Sequence, residues 1–168
     1  MKIDELIKSL SMIGQDDVDG LKDLVLKASQ VILIGNGGSN AICSHISQDY
    51  TKQLKKRSFT FSDPSRLTCY INDYGAENAY AQFLREFSCN KTLVILISSS
   101  GNSQNILNCA RFCVKNDVPF IILTGFSKKN DLKKKYSKYS LMDVWVDSSD
   151  YGVVETAHQA FLHSIIGD

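Results

Sequence analysis

Short apolar runs recur along this chain of 168 residues, and they constrain its fold more than any other feature. Each run is too short for a buried helix, and the first of them ends in a glycine. This pattern is typical of strands that are buried on both faces of a parallel sheet. The predicted strands are Gln30–Gly35, Thr92–Ile97, Val118–Leu123, Val144–Val146 and, with the weakest pattern, Ser58–Phe61.

Segments of helical length separate these runs. Strands that alternate with helices predict an α/β fold, here a three-layer sandwich in which helices cover both faces of a five-stranded, doubly wound parallel sheet. We expect a single domain over residues 1–168, in which residues 1–29 form N-terminal helices that pack on the domain or on a partner subunit. The other predicted helices are 39–54, 76–87, 103–115, 128–137 and 153–166.

Composition excludes several classes of function. The net charge is +1, and the longest basic runs, Lys55–Arg57 and Lys133–Lys135, are short enough to be solvated surfaces, so no nucleic-acid partner is expected. No apolar stretch is long enough to span a bilayer, and acidic residues stand where a signal peptide needs an apolar core, so no membrane partner is expected. Five cysteines without a C-x-x-C motif indicate a reducing, cytoplasmic compartment.

A glycine-rich turn, Gly35–Ser39, follows the first predicted strand and opens a helix. Glycines allow the backbone to approach a ligand closely, and a helix start offers free N–H groups to an anion. The G-x-G-x-x-G pattern of dinucleotide-binding loops is not met, because residue 40 is asparagine. We therefore expect contact with a sugar or phosphate, and a purely structural turn stays open as the alternative.

A serine-rich turn, Ser98–Ser103, follows the most apolar strand. Either Asn102 or Ser103 can cap the helix that begins at Gln104, which leaves most of the hydroxyls for another role. Hydroxyls and N–H groups that converge at a helix start can hold an anion without lysine or arginine. The pattern favours a phosphate site over a polar loop that only caps its helix. A P-loop kinase is excluded because no G-K-[ST] is present.

Four motifs together resemble the sugar isomerase (SIS) family, and within it the phosphoheptose isomerases. The motifs are Gly35–Ser39, Asn72-Asp73-Tyr74-Gly75, Ile97–Ser103 and Leu123-Thr124-Gly125. The resemblance runs from about Val31 to the C-terminus. It implies a flavodoxin-like fold and an aldose–ketose isomerase that converts sedoheptulose 7-phosphate to a heptose 7-phosphate. It also implies a homotetramer with active sites at subunit interfaces.

The resemblance also implies which residues bind the substrate. By position, Asn36 and Asp73 contact the sugar, and the two turns hold the phosphate. The implied phosphate-binding residues are Gly37, Gly38, Ser39, Ser98, Ser99, Ser100, Asn102 and Ser103.

Zinc is the cofactor that the resemblance implies, with no nucleotide cofactor. The implied ligands are His45, Asp49, Glu155 and His163, and His158 lies between the last two. Spacing supports the first pair, since residues four apart share one helix face, although such a pair is often an ordinary surface contact. Glu155 and His163 are eight residues apart, about 12 Å along a helix. They can share an ion only if Glu155 precedes the helix or if two subunits contribute.

Aldose–ketose isomerisation needs a base and an acid that move a proton between adjacent carbons through an enediol. The resemblance assigns the base to Asp49 and acid–base chemistry to His163, and Glu155 is a second candidate base. Asp49 stands where the family has glutamate, Glu155 replaces a glutamine, and Gln53 replaces an arginine that contacts substrate. These departures keep an alternative open, a non-catalytic SIS module that binds a sugar phosphate or a replication initiator protein.

Overall fold

A five-stranded sheet forms the centre of the protein in the computed structural model, which describes residues 2–166. All pairings are parallel, and the strand order is β2-β1-β3-β4-β5. The predicted α/β class and all five predicted strands are confirmed. The strands are β1 Gln30–Gly35, β2 Ser58–Thr60, β3 Thr92–Ser98, β4 Phe120–Thr124 and β5 Met142–Trp145.

Helices cover both faces of this sheet. Every predicted helix is present with shifted ends, and α4 is a helix that the sequence patterns did not predict. Its start carries a signal that was missed, because the Asp63 carboxylate accepts a hydrogen bond from the Arg66 N–H and Pro64 is the first helical residue. The helices are α1 Ile3–Ser11, α2 Gln15–Lys27, α3 Gly37–Lys52, α4 Pro64–Tyr74, α5 Ala79–Phe87, α6 Gln104–Lys115, α7 Asp131–Tyr136 and α8 Tyr151–His163.

The strands send alternate side chains into two cores. Ile32 and Ile34 of β1 belong to the core beneath α4, α5, α6 and α7. Val31 and Leu33 belong to the core beneath α2, α3 and α8. The helix α1 packs on the outside of α8, where Leu6 contacts the N-terminal part of that helix.

This strand order decides where a ligand can bind. From β1 the chain turns outward to β2, and it then returns to β3 on the other side of β1. The helices that follow β1 and β3 therefore leave the sheet on opposite faces, and a crevice opens at the carboxyl ends of these two strands. Within residues 2–166, no helix combines the length and the apolar character that a bilayer-spanning segment needs.

Candidate functional site

The two polar turns meet at this crevice and enclose a cavity of about 240 Å³. Most of the predicted phosphate- and sugar-binding residues line it, together with two residues of α8. The lining residues are Asn36, Gly37, Gly38, Ser39, Ile97, Ser98, Ser99, Ser100, Ser103, Tyr151 and Glu155. We call this space the serine cavity. No lysine or arginine of the described chain is among them, so its anion-binding capacity depends on neutral donors.

The glycine-rich turn brings backbone close to the ligand space. Gly37 has a φ of +52°, a region that favours glycine. A Cβ added to Gly38 would come within 2.3 Å of a Glu155 carboxylate oxygen. The Glu155 carboxylate therefore lies directly against the first turn of α3, where the helix dipole favours a negative charge. Partial burial raises the pKa of Glu155 above its usual range.

A pair of asparagines fixes the two turns to each other. The side-chain amide of Asn36 donates from Nδ2 to Asn105 Oδ1 at 3.0 Å. The side-chain amide of Asn105 donates from Nδ2 to Asn36 Oδ1 at 2.8 Å. Asn105 also accepts a hydrogen bond from the Ile106 N–H at 3.0 Å, which fixes it on the first turn of α6. Asn105 was not predicted as a site residue, and only its place next to the serine-rich turn hinted at it.

Hydroxyl groups of the serine-rich turn shape its backbone and still have protons to donate. Ser98 Oγ accepts from the Gly101 N–H at 3.2 Å, and Ser100 Oγ accepts from the Asn102 N–H at 3.3 Å. Ser103 is the N-cap of α6, but its side chain makes no capping bond. The Ser99 hydroxyl is buried and has no partner among the described residues. Converging donors at a helix start are suited to an oxyanion such as phosphate.

Asn102, which was predicted to bind phosphate, is not among the residues that line the serine cavity. Its side-chain oxygen accepts a hydrogen bond from the Asp131 N–H at 2.9 Å, at the start of α7. The Leu132 N–H donates to the Gly101 carbonyl at 2.9 Å. A Cβ added to Gly101, which has a φ of +64°, would come within 2.2 Å of the Asn130 side chain. Asn102 therefore helps to fix the turn against α7, and its role in binding stays a prediction.

Asp73 also lies outside the serine cavity, because the unpredicted helix α4 carries it to the surface. Its carboxylate accepts hydrogen bonds from the Asn72 amide at 2.9 Å and from the Cys69 thiol at 3.5 Å. Within the single chain, the residues that line the cavity come from the two turns, the end of β3 and α8 only. Asp73 is therefore not part of the serine cavity of its own chain, and its contact with sugar stays a prediction.

Three predicted catalytic and metal-binding residues do come together, on the flanks of α3 and α8. Asp49 Oδ2 lies 3.4 Å from His45 Nε2 and 3.2 Å from His163 Nε2, and the two imidazole rings pack edge to face at 4.9 Å. Tyr50 holds the two helices together by donating its hydroxyl to the Leu162 carbonyl at 3.0 Å. The three ligand atoms lie within 4.8 Å of one another, and two imidazoles with one carboxylate suit Zn²⁺. We call these three residues the histidine cluster.

Glu155 does not belong to the histidine cluster, so the predicted four-ligand set is not assembled within one chain. The helix α8 is regular from Tyr151 to His163, which excludes the possibility that Glu155 precedes its first turn. Eight residues of helix separate Glu155 from His163, about 12 Å. Asp49 lies twelve residues beyond Gly37 on α3, about 18 Å. The serine cavity and the histidine cluster are therefore separate places in the single chain.

His158 faces the sheet and not the histidine cluster. It is fully buried, and its Nε2–H donates to the Thr124 carbonyl at 3.1 Å, which leaves Nδ1 without a partner among the described residues. Burial lowers the pKa of His158 to about 4, so the ring is neutral. Gly125, the residue that follows β4, donates its N–H to the Ser99 carbonyl at 3.0 Å. His158 thereby braces the strand end that supports the serine-rich turn.

Several known proteins with similar sequences are phosphoheptose isomerases. The phosphoheptose isomerase of Fusobacterium nucleatum is 28% identical over 151 residues, which cover 87% of this chain and 75% of that protein. The phosphoheptose isomerase of Campylobacter concisus is 29% identical over 166 residues, which cover 95% of this chain and 83% of that protein. No protein-family model matches the chain.

Solved structures show the same fold. The phosphoheptose isomerase of Neisseria gonorrhoeae superposes with a TM-score of 0.87, with 22% identity, over 98% of this chain and 93% of that one. At this identity the similarity shows the architecture, a parallel sheet with helices on both faces. These similar sequences and this similar structure are thus all phosphoheptose isomerases.

Proposed function

We propose that this chain, which belongs to the sugar isomerase (SIS) family and is similar to phosphoheptose isomerases, is an aldose–ketose isomerase that acts on a sugar phosphate. The proposed reaction is the conversion of sedoheptulose 7-phosphate to a heptose 7-phosphate. The observation that carries this proposal is the serine cavity, in which hydroxyls and a helix start converge beside a carboxylate. The free cysteines of the described chain are compatible with the cytoplasmic location that we also propose.

Phosphate binding is the first part of the proposed mechanism. The phosphate oxygens would accept hydrogen bonds from the hydroxyl groups of Ser98, Ser100 and Ser103. They would also accept hydrogen bonds from the N–H groups at the start of α6. Ser39 and the turn at Gly37–Gly38 would donate to the sugar oxygen that becomes negatively charged in the enediolate. Asn36, fixed by its partner on α6, would orient the sugar between these two groups of donors.

Proton transfer is the second part, and the histidine cluster is suited to it. Asp49 would remove the proton from the carbon beside the carbonyl, and His163 would exchange a proton with the sugar oxygen. Their contact of 3.2 Å orients the imidazole toward the carboxylate. Where zinc is bound, His45, Asp49 and His163 would be the residues that hold it in place of their proton-transfer roles, and the ion would supply Lewis-acid polarisation of the sugar carbonyl. Glu155, which touches the glycine turn, is the second candidate base.

A homotetramer would reconcile the two separate places. In one chain the histidine cluster lies at least about 12 Å of helix away from the Glu155 side of the serine cavity. We propose that the cavity of one subunit is completed by the cluster of a second copy, so that the active site forms at the subunit interface. The exposed side chains of His45 and His163, at 48% and 37%, leave the cluster accessible to such a partner.

A coupled isomerase assay with sedoheptulose 7-phosphate, with and without added zinc, tests the proposal directly. We expect turnover of a ketose phosphate, and size-exclusion chromatography with light scattering should give four chains per particle. Binding of sugar phosphates without any turnover, on a panel from pentose to heptose phosphates, would contradict the enzyme and support a non-catalytic SIS module. Asp49, one methylene shorter than the family's glutamate, is the observation that keeps this second function worth testing.

A further inference from the structure

An aromatic residue that the proposed mechanism does not use stands in the lining of the serine cavity. Tyr151 is the first residue of α8, and its side chain is 60% exposed although the residue lines the cavity. The remaining lining consists of hydroxyl, amide, glycine and carboxylate groups, apart from Ile97 at the end of β3. Tyr151 is thus the one large apolar surface that the described lining offers.

Several contacts hold Tyr151 in place. Its ring packs edge to face against Phe126 at 4.7 Å, with an interplanar angle of 75°. Asp150 caps α8 by accepting from the Val153 N–H at 3.0 Å, and its own N–H donates to Ser148 Oγ at 3.0 Å. The start of the helix is therefore fixed, and the ring that it carries has a defined place at the cavity.

The support beneath this ring carries backbone strain. Phe126 has a φ of +52°, in the left-handed region that bulky residues rarely adopt. Its N–H donates to the Ser148 carbonyl at 2.8 Å, which keeps the residue in that conformation. Strained conformations of this kind persist where the surrounding structure holds them, and they cluster at ligand sites. Phe126 turns its ring toward Tyr151, and that contact stabilises an aromatic side chain that solvent would otherwise surround.

The size of the serine cavity and the chemistry of sugars indicate what the Tyr151 ring can contact. At about 240 Å³, the cavity is smaller than the range of about 300–1,000 Å³ that is usual for ligand pockets. A phosphate bound at the serine-rich turn occupies part of it, so the distal carbons of a long sugar extend toward the more exposed lining, which includes Tyr151. Carbon-bound hydrogens of a sugar present an apolar face, and a phenol ring offers apolar area beside a polar tip.

We propose that Tyr151 is a specificity-determining residue, whose ring packs on the carbon chain of the sugar phosphate and favours six- and seven-carbon ketose phosphates over shorter ones. The inference rests on the proposed function, since it assumes that the serine cavity holds a sugar phosphate. Phosphate recognition by the serine-rich turn is independent of this ring.

Calorimetric titration of the full chain with inorganic phosphate, ribulose 5-phosphate and sedoheptulose 7-phosphate tests the inference. We expect Tyr151→Ala to weaken binding of the seven-carbon sugar about tenfold, which corresponds to about 1.4 kcal/mol, and to change phosphate affinity less than twofold. In the isomerase assay KM should rise while kcat stays unchanged. Tyr151→Phe should retain wild-type affinity, because the ring and not the hydroxyl makes the contact.

Tyr139→Ala is the matched control, since Tyr139 is a similarly exposed tyrosine that lines a different surface depression with Pro119 and Leu141. It should leave all affinities unchanged. Equal affinities in Tyr151→Ala and the wild type would overturn the inference alone, as would an equal loss in Tyr151→Phe or a parallel loss of phosphate binding. A wild-type protein that binds phosphate but neither sugar would overturn the proposed function as well.

Discussion

The serine cavity and the histidine cluster differ in how the chain builds them. The serine cavity lies where two strands end and two helices begin, and backbone hydrogen bonds such as Gly101 N–H to Ser98 fix its shape. The histidine cluster lies on the flanks of α3 and α8, and only side chains form it. The cavity floor is buried, whereas both imidazoles are partly exposed.

This difference separates binding from chemistry. A site made of backbone turns is rigid and complete as soon as the sheet has formed, which suits recognition of a phosphate that does not change during the reaction. A site made of side chains on helix flanks can be completed by a neighbouring surface. It follows that substitutions in the cluster should abolish turnover without affecting phosphate binding, whereas substitutions in the turns should weaken phosphate binding itself.

The largest effect should come from the histidine cluster. We expect His163→Gln to lower kcat by at least about 100-fold, the scale of a lost general acid or base, and Asp49→Asn to impair turnover severely. Both variants should bind inorganic phosphate with wild-type affinity in a calorimetric titration. Wild-type kcat in both variants would refute the assigned roles, and a loss of phosphate affinity would refute the separation of the two places.

Acid should destabilise the protein through His158. Its folded pKa of about 4 lies below the ordinary value of 6.5, so between these values the unfolded chain binds a proton that the folded chain does not. The contribution of neutral His158 to the free energy of unfolding is therefore fully present above pH 6.5. It is lost as the pH falls toward 4, and the total loss is roughly 3 kcal/mol. Urea unfolding measured between pH 7 and pH 4 gives this slope.

His158→Gln is the comparison for that measurement, because carboxylates also titrate in this range. The variant should be less stable at pH 7, where it loses a buried hydrogen bond, and its stability should depend less steeply on pH. Identical pH profiles for the two proteins would show that His158 does not titrate as its burial demands.

The next smaller effect on stability should come from a substitution in the tightly packed serine-rich turn. Gly101→Ala places a methyl group within 2.2 Å of Asn130 in a left-handed conformation, and Asn130 is held by hydrogen bonds to the Lys133 N–H and the Ser127 carbonyl. We expect a loss of about 2–3 kcal/mol in urea unfolding. Gly37→Ala is its control, since Gly37 has a similar φ but open space around it, and it should lose only about 1 kcal/mol. Equal losses would contradict the tight packing against Asn130.

The same contrast explains how much the sequence could predict. The two turns were predictable, because each depends on a local pattern, a buried strand followed by glycines or serines. The pairing of Asn36 with Asn105 was not, since it joins residues 69 positions apart. The helix α4 was missed because it has no buried residue that would mark it as part of the core, and because the start signal at Asp63 and Pro64 was overlooked.

The sequence also could not predict distances between side chains on different helices. Spacing on α8 showed that Glu155 and His163 could not easily share an ion, but only the three-dimensional packing shows that Glu155 meets Gly38 while His163 meets Asp49. Tyr151 escaped notice because one tyrosine at a helix start carries no pattern.

The smallest effect should come from a single hydroxyl of the serine cavity. Ser99 Oγ is buried without a partner among the described residues, so Ser99→Ala removes a desolvated group and should change the free energy of unfolding by less than about 1 kcal/mol in either direction. If this hydroxyl serves the ligand, phosphate affinity should fall about threefold to tenfold, the scale of one hydrogen bond. Ser148→Ala is the contrasting case, because Ser148 Oγ accepts the Asp150 N–H and lies outside the lining, so it should lower stability and leave phosphate affinity unchanged. A Ser99→Ala variant with unaltered phosphate affinity would restrict recognition to Ser98, Ser100, Ser103 and the backbone, and it would leave the buried hydroxyl without a function in binding.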